Sequence, residues 1–167
     1  MDISEKREIT EDKDGGIRKR VILYYPYAEG EGKAAKRVNG FVFDLIQKIK
    51  KDAAKAPFVY IKLTYKKQNS DPPSLFFELE SYGAGGEYSY TPFSAVFDTN
   101  GRAAPYHADK KEIKQIKRHF KDRGVRFTKK DCGFAYYIKD GKAVFYAAQK
   151  SNGRAKKSII TFEASAF

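Results

Sequence analysis

Residues 76–102 read FFELESYGAGGEYSYTPFSAVFDTNGR, and this stretch decides the fold class. Apolar and polar residues alternate on both sides of a glycine-rich crossing that contains Gly83, Gly85 and Gly86. Alternation with a period of two is typical of half-buried β-strands, and turn residues at 98–101 end the second run. The stretch therefore predicts two strands joined by a tight or bulged hairpin at the glycines.

The glycine-rich crossing also invites a second interpretation, a phosphate-binding loop, because glycine-rich loops present backbone N–H groups to anions. However, the crossing comes before a strand pattern and not before a helix. It also lacks the Lys-Ser/Thr pair of a P-loop. The hairpin interpretation is therefore favoured, with Glu87 as the residue that follows the crossing.

Helical and strand periodicities account for most of the remaining chain. Apolar residues recur at helical spacing from Val38 to Ile49 and predict a helix over 33–54. We predict strands over 3–10, 17–27 and 58–67, and a connection over 68–74, which contains Pro72-Pro73. A second helix is predicted over 109–123, followed by strands over 133–138, 143–149 and 158–162. Asp140-Gly141 and Asn152-Gly153 are hairpin signals between these last strands.

Together these elements predict one α+β domain spanning residues 1–167. We expect a mostly antiparallel sheet of about six to eight strands, with two helices packed on one side. The 12 Tyr and 13 Phe residues support a folded protein rich in strands.

Composition excludes several classes of protein. No apolar run approaches the roughly 18 residues of a membrane span. The N-terminus has no apolar signal core, so we expect the cytoplasm by default, or an extracytoplasmic location if a leader or an anchor was removed. The lone Cys132 excludes an intrachain disulfide and a site built from several cysteines. The oligomeric state is left open.

Candidate catalytic groups are few. Cys132 lies near Lys129 and Lys130, which would lower its pKa if it were exposed, but we expect a small residue at the start of a strand. Glu78 and Glu80 lie two apart on one strand face, as solvent-facing acids do. His119 is expected to meet solvent. We predict no catalytic residue, no cofactor and no metal site; a hydrolase-type enzyme that uses the crossing, with His107 nearby, is the weakest alternative.

The net charge of +12 is concentrated in one segment. Residues 109–130 contain ten Lys or Arg residues against three acids and so supply +7 of it. On a helical wheel one group of cations covers an arc of about 120°, opposite Ile113, Ile116 and Phe120. This group comprises Lys110, Lys111, Lys114, Lys117, Arg118 and Lys121.

Within this helix several i,i+4 pairs are like-charged, among them Lys110–Lys114 and Lys117–Lys121, and each pair costs roughly 0.2–0.5 kcal/mol. A polyanionic partner, nucleic acid or an anionic wall polymer, would relieve that repulsion. An ordinary solvated lysine-rich face is the alternative interpretation.

Three groups of residues together resemble a known family. The first is Tyr25-Pro26 at the end of an early strand, followed by a helix entered through Arg37-Val38-Asn39. The second is the glycine-rich crossing leading to Phe97-Asp98-Thr99-Asn100-Gly101. The third is the lysine-rich helix followed by residues 136–146, YYIKDGKAVFY. This order resembles the domain of unknown function shared by RsiV-type anti-sigma factor ectodomains and PdaC-type peptidoglycan deacetylases, including stand-alone clostridial members.

The resemblance implies a non-enzymatic binding domain with an α+β fold and an unidentified partner. In the anti-sigma branch the domain receives lysozyme. At the crossing that family has Gly-Gly-Ala-His-Gly, whereas here Gly86 is followed by Glu87-Tyr88. Lysozyme is itself strongly basic and would be repelled by a chain of net charge +12, so we do not expect lysozyme binding here.

Overall fold

A computed structural model describes residues 1–55, 58–151 and 154–164. The described residues form eight strands and three helices. In chain order these are β1 (Ile3–Asp14), β2 (Ile17–Ala28), α1 (Lys33–Lys55), β3 (Phe58–Ser70), β4 (Pro73–Gly83), β5 (Tyr88–Val96), α2 (Lys110–Lys121), α3 (Lys129–Phe134), β6 (Tyr136–Lys139), β7 (Lys142–Ser151) and β8 (Arg154–Glu163).

The first five strands form one sheet in the order β1-β2-β3-β4-β5. Every neighbouring pair is antiparallel except β2 and β3, which α1 joins by a crossover and which therefore run parallel. The helix buries Val38, Val42 and Ile46 against one face of this sheet, where Leu63 and Phe77 are fully buried. The predicted helix over 33–54 is thus confirmed.

The last three strands form a second sheet in the order β6-β7-β8. Along β7 the side chains alternate between two buried clusters. Phe145 joins the cluster of α2, whereas Val144 and Tyr146 join a cluster with Phe76 of β4. The Phe76 and Tyr146 rings meet edge to face at 5.0 Å. The second sheet therefore lies between the five-stranded sheet and α2.

This arrangement confirms the α+β class and corrects the prediction that two helices pack on one side. The helix α1 packs on the five-stranded sheet, and α2 packs on the three-stranded sheet. The physical reason lies in β4, which buries both of its faces: Leu75 and Phe77 point towards α1, and Phe76 points towards the second sheet. With both faces covered, a second layer of strands separates the helices.

One predicted connection and one predicted strand also differ from the structure. Residues 68–74 do not form a long connection, because β3 continues to Ser70 and β4 begins at Pro73, with a cis peptide bond between Asp71 and Pro72. The predicted strand over 133–138 is shorter, since α3 occupies its first residues and β6 begins at Tyr136. The Asn152-Gly153 turn lies outside the described residues. Asp140 and Gly141 both have positive φ, as a tight hairpin requires.

The turn over residues 98–102 follows β5 and packs against the start of α1. The Asp98 side chain accepts hydrogen bonds from the backbone N–H groups of Asn100 (2.8 Å) and Arg102 (2.9 Å). Arg37 of α1 donates to the Asn100 carbonyl oxygen at 3.1 Å. Gly101 is buried with φ +74, and a methyl group on its Cα would lie 2.8 Å from the carbonyl carbon of Ala34. Glycine is required here for both reasons.

We therefore expect Gly101→Ala to destabilise the protein far more than Gly86→Ala. Both glycines have positive φ, which costs alanine about 1 kcal/mol. A methyl group on Gly86 would meet no atom within 4 Å, whereas Gly101→Ala also forces the backbone of α1 away from the turn. The expected loss for Gly101→Ala is about 3 kcal/mol or more in the free energy of unfolding, measured by urea denaturation. Equal losses for the two variants would contradict this account of the turn.

Candidate anion-binding surface

Helix α2 presents its cations to solvent because its opposite face is held in the core. Asp109 is the N-cap, and its side chain accepts a hydrogen bond from the backbone N–H of Glu112 at 2.8 Å. Ile116 and Phe120 are completely buried in the cluster between α2 and the second sheet. This anchoring directs the lysines outward. The structure places all six candidate residues on the exposed side of α2: Lys110, Lys111, Lys114, Lys117, Arg118 and Lys121.

The end of α2 turns the chain back along the helix. Gly124 has φ +72, and the backbone bonds from Gly124 to Lys121 (2.9 Å) and from Val125 to Phe120 (3.0 Å) form a Schellman motif. Phe127 then stacks on Phe120 with ring centroids 4.2 Å apart. The segment over 124–129 is therefore fixed beside the helix.

This reversal creates a groove of about 920 Å³ between α2 and the segment over 124–129. Six cations line it: Lys114, Lys117, Arg118, Lys121, Arg126 and Lys129. Asp122 is the acid in the lining, and it lies 3.8 Å from Arg118 in an exposed i,i+4 pair that neutralises little charge. Lys110 and Lys111 lie outside the groove on the preceding turn.

The other acids of this region are engaged in the fold. Asp109 caps α2, and the Glu112 carboxylate accepts a hydrogen bond from the Tyr106 hydroxyl at 2.6 Å. Asp131 forms a capping box with Thr128 at the start of α3. None of these three carboxylates lines the groove, and the lining itself carries six cations against one acid, so it is strongly positive.

Arg126 and Lys129 belong to the basic segment over 109–130, but the helical wheel does not place them in the candidate site, because it relates only residues of α2. The signal that could have found them is Gly124, since a left-handed glycine after a helix reverses the chain. Phe127, the next aromatic residue, supplies the contact that fixes this return.

The glycine-rich crossing is a hairpin between β4 and β5, as predicted. The Gly83 N–H donates to the Glu87 carbonyl oxygen at 2.8 Å, and the Gly86 N–H donates to that of Gly83 at 3.1 Å. The Gly85 N–H donates to the Glu87 carboxylate at 3.2 Å. The donors that a phosphate would need are engaged, and a carboxylate occupies the turn. The crossing therefore does not supply an anion site.

The prediction that Glu78 and Glu80 face solvent is wrong. Their side chains are only 12% and 14% exposed. Tyr90 donates to Glu78 at 2.9 Å, and Tyr88 donates to Glu80 at 3.0 Å. Burial, followed by these hydrogen bonds, raises the pKa of both tyrosines well above the ordinary value. The strand pattern could not show this, since the tyrosines come from β5.

Cys132 and His119 also differ from expectation. Cys132 lies in α3, not at the start of a strand, and is buried with Ile116 and Phe120. Burial raises the pKa of its thiol, so the thiolate that nucleophilic catalysis requires is disfavoured. The His119 ring packs against Phe120 and Phe162, and its Nε2 is buried without a hydrogen-bond partner. His107 is exposed.

The described part of the chain holds no group of three or more His, Cys, Asp or Glu side chains that could bind a metal. None of its helices is long and apolar enough to cross a membrane.

Comparison with known proteins gives a likeness of fold. No family model matches the sequence, and no curated protein matches it. Among solved structures, the chain is similar to a member of the DUF3298 family from Bacteroides fragilis NCTC 9343, with a TM-score of 0.55 and 10% identity. The similarity covers 98% of this chain and 89% of that one. The fold is thus that of a domain of unknown function.

We expect Cys132 to be unreactive in the folded protein. Since the thiol is buried and its pKa is raised, labelling by an aromatic disulfide should be at least about tenfold slower than labelling of glutathione at the same pH. The same protein in concentrated guanidinium should react at the rate of the free thiol. Native labelling as fast as that of glutathione would contradict the burial of Cys132.

Proposed function

We propose that this chain is a non-enzymatic binding domain whose ligand is a polyanion held in the groove beside α2. The observation that carries the proposal is the lining itself, six cations against one weakly paired acid. In water such a surface attracts a polymer of negative charge and releases its counterions, which gives binding that weakens steeply with salt. We also propose kinship with the RsiV-type and PdaC-type domains, on the basis of the motifs at residues 25–26, 37–39, 77–86, 97–101 and 136–146.

The groove favours recognition of charge over recognition of bases. Its aromatic residue, Phe127, is buried against Phe120 and has no free face on which a base could stack. Single-stranded nucleic acid binders combine cations with exposed aromatic platforms. Four of the six cations are lysines, which act as point charges on flexible stems without a fixed donor geometry. We therefore expect affinity to follow the charge density of the polymer, with little dependence on sequence.

The test compares two double variants that change charge equally. Lys114→Glu with Lys117→Glu alters the groove, and Lys48→Glu with Lys51→Glu alters the exposed side of α1 at the same i,i+3 spacing. On immobilised heparin, K114E/K117E should elute at clearly lower salt than the wild type. K48E/K51E should elute close to the wild type, because its charges lie outside the groove.

Salt-dependent binding to a single-stranded oligonucleotide gives a second measurement. In the neutral variant K114Q/K117Q, the slope of log K against log salt should become shallower by about 0.7 for each phosphate that the protein no longer neutralises. Teichoic acid, tested in parallel, distinguishes a wall polymer from nucleic acid by relative affinity. If K114E/K117E and K48E/K51E shift heparin elution equally, only net charge matters and the proposed groove is wrong.

A further inference from the structure

A second groove, of about 770 Å³, lies on the other side of the segment over 124–127. Residues of β5, the segment over 123–127, α3 and β7 line it. Lys114, Lys117, Arg118 and Lys121 do not line it. Its chemistry differs from that of the groove beside α2 in three respects: an exposed aromatic side chain, an open strand edge and a different set of cations.

The cations of this second groove are Arg123, Arg126, Lys130 and Lys150, all of them exposed. The acid in the lining, Asp131, is held in the capping box of α3. It accepts hydrogen bonds from the backbone and the hydroxyl of Thr128 at 2.6 and 2.7 Å. With four cations against this one acid, the lining has a net positive charge and is complementary to negative charge.

The aromatic side chain is Phe134, which is 61% exposed at the end of α3 and lines the groove. Half-buried apolar side chains lie in the same lining, among them Val125 and Ala148. A large exposed aromatic residue in a concave surface is the kind of position that anchors a partner. A ligand made only of charge would leave this apolar surface in water.

The open strand edge belongs to β7. The short strand β6 pairs with β7 only as far as Phe145, and the Tyr146 N–H donates to the Ala135 carbonyl oxygen at 3.1 Å. Peptide groups alternate in direction along a strand, so those of Ala148 point to the same side as those of Tyr146. In the described chain no strand pairs with β7 there, and Ala148 lines the groove.

The facing wall, β5, is less suited to pairing although it is the last strand of its sheet. Phe97 donates to the Pro73 carbonyl oxygen, whereas the Val96 carbonyl oxygen accepts from Ala104 outside the sheet. By alternation, Pro92 lies at an outward position, where it offers no N–H group. Proline on an edge strand discourages further pairing, so β7 is the available edge.

We propose that this groove binds an acidic peptide segment in extended conformation. The peptide adds to the edge of β7 at Ala148, next to the register shift between Ala148 and Lys150, in the mode of β-strand addition. Its apolar side chains contact Phe134, and its carboxylates face Lys130 and Lys150. This inference does not rest on polyanion binding beside α2, because the residues that decide it line only the second groove.

The test uses a fluorescein-labelled peptide in which Glu alternates with Leu, about eight residues long so that it forms one strand. Fluorescence anisotropy measures its affinity for the full chain. Lys130→Glu with Lys150→Glu should weaken binding at least about tenfold, and Phe134→Ala about fivefold or more. The variant K48E/K51E, whose changed residues line neither groove, should bind the peptide as the wild type does. K114E/K117E should weaken binding far less than K130E/K150E, because Lys114 and Lys117 do not line this groove.

Backbone pairing has its own control. Two forms of the peptide carry N-methyl groups on alternate amides, in opposite registers. Strand addition uses the N–H groups of one side only, so one form should lose binding and the other should keep it. Circular dichroism and thermal unfolding check that the variants fold, as expected for exposed side chains.

Four outcomes would overturn the proposal. In the first, an oligoglutamate of equal charge binds as tightly as the alternating peptide. In the second, both N-methylated forms bind equally well. In the third, heparin retention depends on K130E/K150E as strongly as peptide binding does, which makes this groove a polyanion site. In the fourth, the chain self-associates in sedimentation velocity through a contact that Phe134→Ala removes, which makes the occupant a second copy.

Discussion

The packing of the three-stranded sheet onto the five-stranded sheet determines where both grooves lie. Polar contacts fix this packing as well as apolar ones. The Ser74 hydroxyl accepts a hydrogen bond from the backbone N–H of Ile138 at 2.8 Å. Ser94 donates to the Tyr136 carbonyl oxygen and accepts from the Tyr146 hydroxyl. Because these bonds are directional, they set the position of β6 relative to β4 and β5.

From that interface outward, each element constrains the next. The first strand of the second sheet, β6, is held over β4, and β7 must then direct Phe145 to its outer face. Phe145 lies in the cluster that contains Phe120 and Phe127, so α2 and the returning segment are positioned together. The position of the basic groove thus follows from the alternation of side chains along β7, which places Phe145 on the face that packs against α2. The second groove lies beside the part of β7 that extends beyond β6, since β6 begins at Tyr136 opposite Phe145.

Much of the fold could be predicted because its signals are local. The helix α1 follows from a 3.6-residue period, and the hairpins at Gly86 and Gly141 follow from turn chemistry. The division into two sheets is different, because it depends on which elements cover each face of β4. Leu75-Phe76-Phe77 is a continuous apolar run and indicates two buried faces. Glu78 and Glu80 continue the same strand, and their polarity hides their burial under Tyr88 and Tyr90.

The candidate site, like the division into two sheets, could be predicted only where it depends on local sequence patterns. The lysines of α2 could be predicted from sequence alone, since one helix presents them. Arg126 completes the basic groove and Lys150 the second one, and both depend on contacts between elements distant in sequence.

The two grooves share the segment over 124–127, and Arg126 lines both of them. They differ in how binding energy would arise. Beside α2 the proposed interaction would be between exposed charges and would weaken as salt screens them. Beside β7, burial of Phe134 and backbone hydrogen bonds do not depend on ionic strength to the same degree. Shared positive charge means that an anion in one groove lowers the potential in the other. A polyanion and an acidic peptide would therefore oppose each other through Arg126 without occupying the same surface.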